Sequence, residues 1–184
     1  FSGLNNLAVF SVTDDEFADK FGFTQNEVDG FLEEYGLQDR STDVKEWYDG
    51  YQIGFSESVE NVYNPWSTIQ FVARKGRINT YWDNTSDSKI IHDVVSFSGV
   101  NVKQAFDALL QGEQITEEVD EGIIFPGIEK DKKASWSMLL FAGYLTIRKR
   151  IGVDADGKYE LAIPKKEILY SFRRLVKAAF EKIM

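Results

Sequence analysis

Residues 47–67, WYDGYQIGFSESVENVYNPWS, constrain the fold of this chain more than any other stretch. Trp47, Tyr48, Tyr51, Phe55, Tyr63 and Trp66 fall within it. Large rings bury wide areas while Tyr and Trp keep a polar end to place, so the stretch reads as a rigid corner. Both of its ends carry turn chemistry. A helix beginning at Ser41 or Thr42 and carrying Val44, Trp47 and Tyr48 is broken by Asp49-Gly50. Asn64 then caps a new helix, and Pro65 takes its first position, where the missing N–H costs nothing. Trp66, Ile69, Val72 and Ala73 are expected to face inward on that helix, with Gly76 as its stop. The corner is thus a helix stop and a helix start wrapped in aromatics.

The flanks repeat the same punctuation. Thr13 to Glu16 and Thr24 to Glu27 both have capping-box spacing, which predicts two helix starts. The second carries Val28, Phe31, Leu32 and Tyr35 at i, i+3, i+4 and i+7 and ends at Gly36. Asp14, Asp15, Glu16 and Asp19 complement a helix dipole, which accounts for them without a metal. Further helices are expected at Ser86 to Phe97 and at Asn101 to Gln111, the latter with Val102, Phe106, Leu109 and Leu110 on one side and Gly112 as stop. From Gln114 the pattern turns to period two, and Ile115, Val119 and Ile123 to Phe125 predict a short strand before Pro126-Gly127. A helix over Lys132 to Ala142 buries Trp136, Leu139 and Leu140. YLTIRKR, a turn at Asp154 to Gly157, and KYELAI then form a hairpin. Pro164 opens a long last helix with Ile168, Phe172, Leu175, Val176, Ala179 and Phe180 on one face. The expected class is mainly α, with a helical bundle over 1–112 and a helix-plus-hairpin module over 113–184.

Composition sets outer limits. With 184 residues and 43% hydrophobic content the chain can bury a real core. No run approaches the roughly 18 apolar residues needed to cross a bilayer. The lack of cysteine excludes disulfides and thiolate metal sites and fits a cytoplasmic setting. His92 is the only histidine, and with no second histidine and no cysteine beside it a helix-surface or partly buried position is expected for it rather than a metal or catalytic role. Net charge is −9, unevenly spread: residues 1–142 carry 11 Lys+Arg against 25 Asp+Glu, and residues 143–184 carry 10 against 5. An acidic body repels nucleic acid, whereas the basic end suits phosphate or an acidic partner, or is simply the solvated face of a helix.

WYDGY followed by YNPWS, with FGFTQNEV upstream and LLFAGYLTI downstream, resembles the bacterial AAA-ATPase-like proteins. These are P-loop ATPase modules usually joined to a nuclease-like domain of the PD-(D/E)XK superfamily. The resemblance runs over most of the chain but covers the part after the phosphate-binding loop. It implies a lid-type helical bundle over 1–112, carrying a remnant of the ATPase core at its start, then a winged-helix-like module over 113–184. Ser2, Asn5 and Asn6 would lie at the core edge near ATP, and Tyr48, Asp49, Asn64 and Ser67 at the lid corner. ATP and Mg belong to the parent protein and are not expected on this chain alone. The implied partners are a preceding P-loop core and a following nuclease-like domain. The missing initiator methionine fits that expectation of a piece of a longer protein.

The residues themselves carry little catalytic chemistry. No G-x-x-x-x-G-K-[ST] run is present, so the chain is not expected to bind ATP tightly or to hydrolyse it. Asp43/Lys45, Asp87/Lys89, Asp131/Lys133 and Asp156/Lys158 match D-x-K, but none has the strand setting a nuclease needs. The Asp154-x-Asp156-Gly157 loop has Lys165 where a calcium loop needs its bidentate Glu. Two readings follow. One is the regulatory lid and winged-helix-like part of an ATPase. The other is a non-catalytic binding module in which Arg148, Lys149, Arg150, Arg173, Arg174 and Lys177 contact a protein or, weakly, nucleic acid. A self-contained enzyme is the third and least supported.

Overall fold

A computed structural model describes residues 11–55, 61–82, 91, 94, 99–121, 132–152 and 157–181. Ser2, Asn5, Asn6, His92, most of the helix expected over 86–97, the Ile123 to Gly127 segment and Asp154 to Asp156 lie outside them. Six α-helices and five strands are assigned among the described residues. In chain order they are α1 (Gln25–Glu34), α2 (Ser41–Tyr48), β1 (Asp49–Tyr51), β2 (Val62–Tyr63), α3 (Pro65–Ala73), α4 (Gly99–Leu110), β3 (Ile115–Glu118), α5 (Lys132–Phe141), β4 (Thr146–Ile151), β5 (Lys158–Ala162) and α6 (Lys166–Glu181). The class is therefore mixed, helices with two small antiparallel sheets, rather than mainly α.

The helix ends follow the punctuation of the sequence. Thr24 and Glu27 form a complete capping box at α1, with Thr24 N–H donating to Glu27 Oε2 at 2.8 Å. Gly36 leaves that helix at φ 66°, which lets Leu37 N–H reach the Leu32 carbonyl at 2.7 Å. The other capping-box spacing, at Thr13, does not start an α-helix. Ser11 N–H donates to Asp14 Oδ2 at 2.7 Å, and only a 3-10 turn, Ala18–Lys20, follows. Phe17, at φ 63°, interrupts the run too early for a helical nucleus to be extended.

Two strands stand where the sequence reads as loop. Asp49 pairs with Tyr63 and Tyr51 with Val62, antiparallel, so the two ends of the aromatic corner are hydrogen-bonded to each other. The larger sheet has the order β3-β5-β4, with Ile115 opposite Leu161 and Thr146 opposite Ala162. The expected hairpin is its β4-β5 half.

Apolar burial is concentrated in two main clusters. The first gathers Val28, Leu32, Val44, Tyr48, Tyr63, Phe71 and Tyr81 from α1 to α3 and the segment after α3. The second joins Phe106 of α4, Trp136 of α5, Leu161 of β5 and Phe172 of α6, so it takes residues from both sides of Gly112. Rings meet edge-on within it, Phe106 against Trp136 at 5.8 Å and against Phe172 at 5.1 Å. A smaller cluster joins Ala18, Ile53 and Val62. No helix among the described residues is long and apolar enough to cross a membrane.

On α3 the inward face is not the expected one. Trp66 is 47% and Ile69 50% exposed, and Ala73 is exposed, while Ser67, Thr68 and Phe71 are fully buried. Val72 is half-buried. Ser67 turns inward to meet a buried carboxylate from α6, whereas Thr68 Oγ1 is buried beside it without a hydrogen-bond partner.

Candidate functional site

The polar residues of the corner converge on the first turn of α6. Pro164 ends the strand–helix connection, Lys165 precedes the helix, and Glu167 sits in its first turn. The side chains of Lys165 and Glu167 are both 0% exposed. A charge this deep needs partners. Ser67 Oγ lies 2.9 and 2.7 Å from the two Glu167 oxygens and donates to that carboxylate. Trp82 N–H donates to Glu167 Oε1 at 2.9 Å. Lys165 Nζ donates to the Tyr48 carbonyl at 3.1 Å, lies 3.7 Å from Glu167 Oε2, and stands 4.4 Å from the centre of the Tyr51 ring. Beside them, Arg148 of β4 donates to the Pro164 carbonyl at 3.4 Å. Oδ1 of Asp49 is buried and accepts no hydrogen bond.

The local sequence builds this geometry. Asn64 accepts from Ser67 N–H at 3.0 Å, which fixes the first turn of α3 and aims Ser67 at α6. Tyr48 Oη donates to the Asn79 carbonyl at 3.0 Å and accepts from Asn79 N–H at 3.1 Å, which ties the end of α2 to the segment before Trp82. Gly50 has φ 129°, and a Cβ there would overlap the Pro164 carbonyl oxygen. Only glycine admits this approach of backbone to backbone. Outside the buried pair the same elements are bolted a second time: Trp47 stacks on Tyr170 at 5.4 Å and Lys166 pairs with Glu46.

Burial governs the ionisation of the cluster. It pushes the Lys165 ammonium down to about 7, against the pull of Glu167 and then Asp49. The Glu167 carboxyl is raised by burial, offset in part by Lys165 and by its N–H and hydroxyl donors. Asp49 is raised by burial too, with Lys45 opposing, and burial lowers Arg148 against the attraction of Asp49.

Next to this joint, a cleft of about 200 Å³ is lined by Phe21, Tyr51, Tyr63, Asn64, Trp82 and Phe141 among others. Tyr51 Oη donates to the Gly143 carbonyl at 2.8 Å across it. Thr146 Oγ1 accepts from Gln52 N–H at 2.9 Å, a further link from the corner to β4.

Of the sequence-derived candidates, Tyr48, Asp49, Asn64 and Ser67 thus come together, and their polar atoms are largely used within the chain. Arg148 belongs to the joint and is half-buried, whereas Lys149 and Arg150 on β4 and Arg173, Arg174 and Lys177 on α6 are exposed. Lys177 lies 3.9 Å from Glu181, one turn on. Sequence reasoning missed Lys165, Glu167, Tyr51 and Trp82. The available signal was helical spacing: Glu167 and Ser171 stand at i and i+4 beside Ile168 and Phe172, on the stripe that faces the core.

No family model matches the chain, and no solved structure matches it. The chain is 28% identical, over 169 residues, to an "Uncharacterized protein in vnfD 5'region" of Azotobacter chroococcum mcd 1. That alignment covers 91% of this chain and 30% of the relative, so the chain spans under a third of the length of the protein it matches.

Proposed function

We propose that this chain is the regulatory lid and winged-helix-like part of a longer, cytoplasmic ATPase of the AAA-ATPase-like kind. In this reading residues 1–112 form the lid with a remnant of the core, and residues 113–184 the winged-helix-like unit. ATP and its Mg2+ ion belong to the preceding P-loop core, and a nuclease-like domain follows. The chain's own task is to transmit: a change at the corner moves α6. One observation carries this, the hydrogen bonds from Ser67 on α3 to Glu167 on α6, buried and 100 residues apart in sequence. The motifs WYDGY and YNPWS and the greater length of the relative support the rest.

The test is calorimetry with ATP and Mg2+ on this chain and on the protein extended toward its N-terminus. Tight binding by the extended protein alone is expected, accompanied by altered hydrogen exchange in α6 that Glu167→Gln abolishes. Binding by neither protein rules the reading out. The exposed Lys149, Arg150, Arg173, Arg174 and Lys177 favour a second reading, a module that contacts an acidic protein or nucleic acid. Salt-dependent binding of duplex DNA that weakens when these residues are changed to alanine would select it.

A further inference from the structure

The joint holds two cations, Lys165 and Arg148, and two carboxylates, Glu167 and Asp49, yet its hydrogen bonds are not shared equally. Glu167 receives donors from Ser67 and Trp82. Lys165 has three protons to place and finds one carbonyl, at 3.1 Å, with the nearest Glu167 oxygen at 3.7 Å, beyond a good hydrogen bond. It also stands immediately before a helix N-terminus, where the dipole disfavours a cation. A neutral amine keeps the bond to the Tyr48 carbonyl and sheds the unmet charge. We propose that the docking of the α2–α3 corner on α6 is a proton-coupled latch, in which closure releases a proton from Lys165 and opening takes one up.

The groups facing Lys165 are few. From α2 comes the Tyr48 carbonyl, with Lys45 exposed farther out and Glu46 engaged with Lys166 on the surface. From β1 come Asp49 and the ring of Tyr51, from β4 Arg148, from α3 Ser67, and from its own helix Glu167. Burial raises the hydroxyls of Tyr48 and Tyr51, which stay neutral through the range in question. The sign follows from Lys165. Its closed value, about 7, lies below its ordinary 10.5, so between these limits the open form holds the extra proton and rising pH favours closure. Glu167 and Asp49, both raised, act in the opposite sense on the acid side and favour closure as pH falls through their raised values.

The latch belongs to this chain alone, so its test needs no nucleotide and does not depend on the ATPase reading. Hydrogen exchange of the Trp82 and Asn64 amides, corrected for base catalysis, gives the opening constant. From about pH 7.5 to about pH 9 that constant should fall by up to about tenfold per unit, and Lys165→Met should remove the slope. A flat wild-type profile, or an unchanged slope in Lys165→Met, overturns the proposal. The 13Cε shift of Lys165 in the wild-type chain reads the same proton without a variant. Titration near 7 supports the latch, and titration near the ordinary 10.5 overturns it.

Discussion

At the scale of single residues, two side chains and one missing side chain carry the joint. Gly50 is held at φ 129° against the Pro164 carbonyl, so Gly50→Ala combines backbone strain with a steric clash. A loss of about 3 kcal/mol is expected, read from the urea midpoint. Ser67→Ala leaves Glu167 with one donor fewer in a dry site, and a loss of about 1–3 kcal/mol is expected in the same measurement. The glycine was legible in the sequence as a helix stop after Asp49. Its second role, admitting the carbonyl of a residue more than a hundred positions away, was not, because close approach between distant segments leaves no local pattern.

Elements show the same division. Helix ends were legible at Thr24 with Glu27, Asn64 with Pro65, Gly36 and Gly76, though the same local spacing at Thr13 started no α-helix. Thr24→Ala should cost about 1 kcal/mol by removing the reciprocal cap, with little change in the urea slope. Asn64→Ala should cost a similar amount, while Asn64→Asp should be close to neutral, since both residues offer an oxygen to Ser67 N–H. Helix orientation was legible only where the inward face was apolar. On α1, α4 and α6 the expected stripes are buried at their centres, Val28 and Leu32, Val102 and Phe106, Ile168 and Phe172, but on α1 Phe31 is only half-buried and Tyr35, at the end of the helix, is 61% exposed. On α3 the rule of apolar residues inside picked the wrong face. Trp66 and Ile69 remain half-exposed, and Ile69 borders an apolar groove of about 260 Å³ with Phe31, Tyr35, Val72 and Ala73. Strands β1 and β2 were unreadable for a related reason, since segments of 3 and 2 residues carry no period.

Over the whole molecule, two apolar clusters are held together across a seam whose centre is ionic. Such a pair contributes little net stability compared with apolar residues of the same shape, but leaving half of it is expensive. Below about pH 7, where Lys165 keeps its proton in the closed joint, Lys165→Met and Glu167→Leu should each destabilise by about 3–5 kcal/mol, and the double substitution by much less than their sum. A double-mutant cycle in urea measures the difference. The outer bolts, Trp47 on Tyr170 and Lys166 with Glu46, are exposed and weaker, so Tyr170→Ala should cost about 1 kcal/mol without altering the pH profile of the seam.

Local chemistry in the sequence determined several helix ends, those at Thr24, Gly36 and Asn64 among them, and that a β-hairpin precedes the last helix. Those outcomes depend on neighbours within a few residues, through caps, turns and periodic burial. Only the tertiary structure decided that the corner is closed by Lys165 and Glu167. A buried charge is tolerable only once its partners are assembled from the end of α2, from α3 and from Trp82 at once, and no stretch of sequence holds them all.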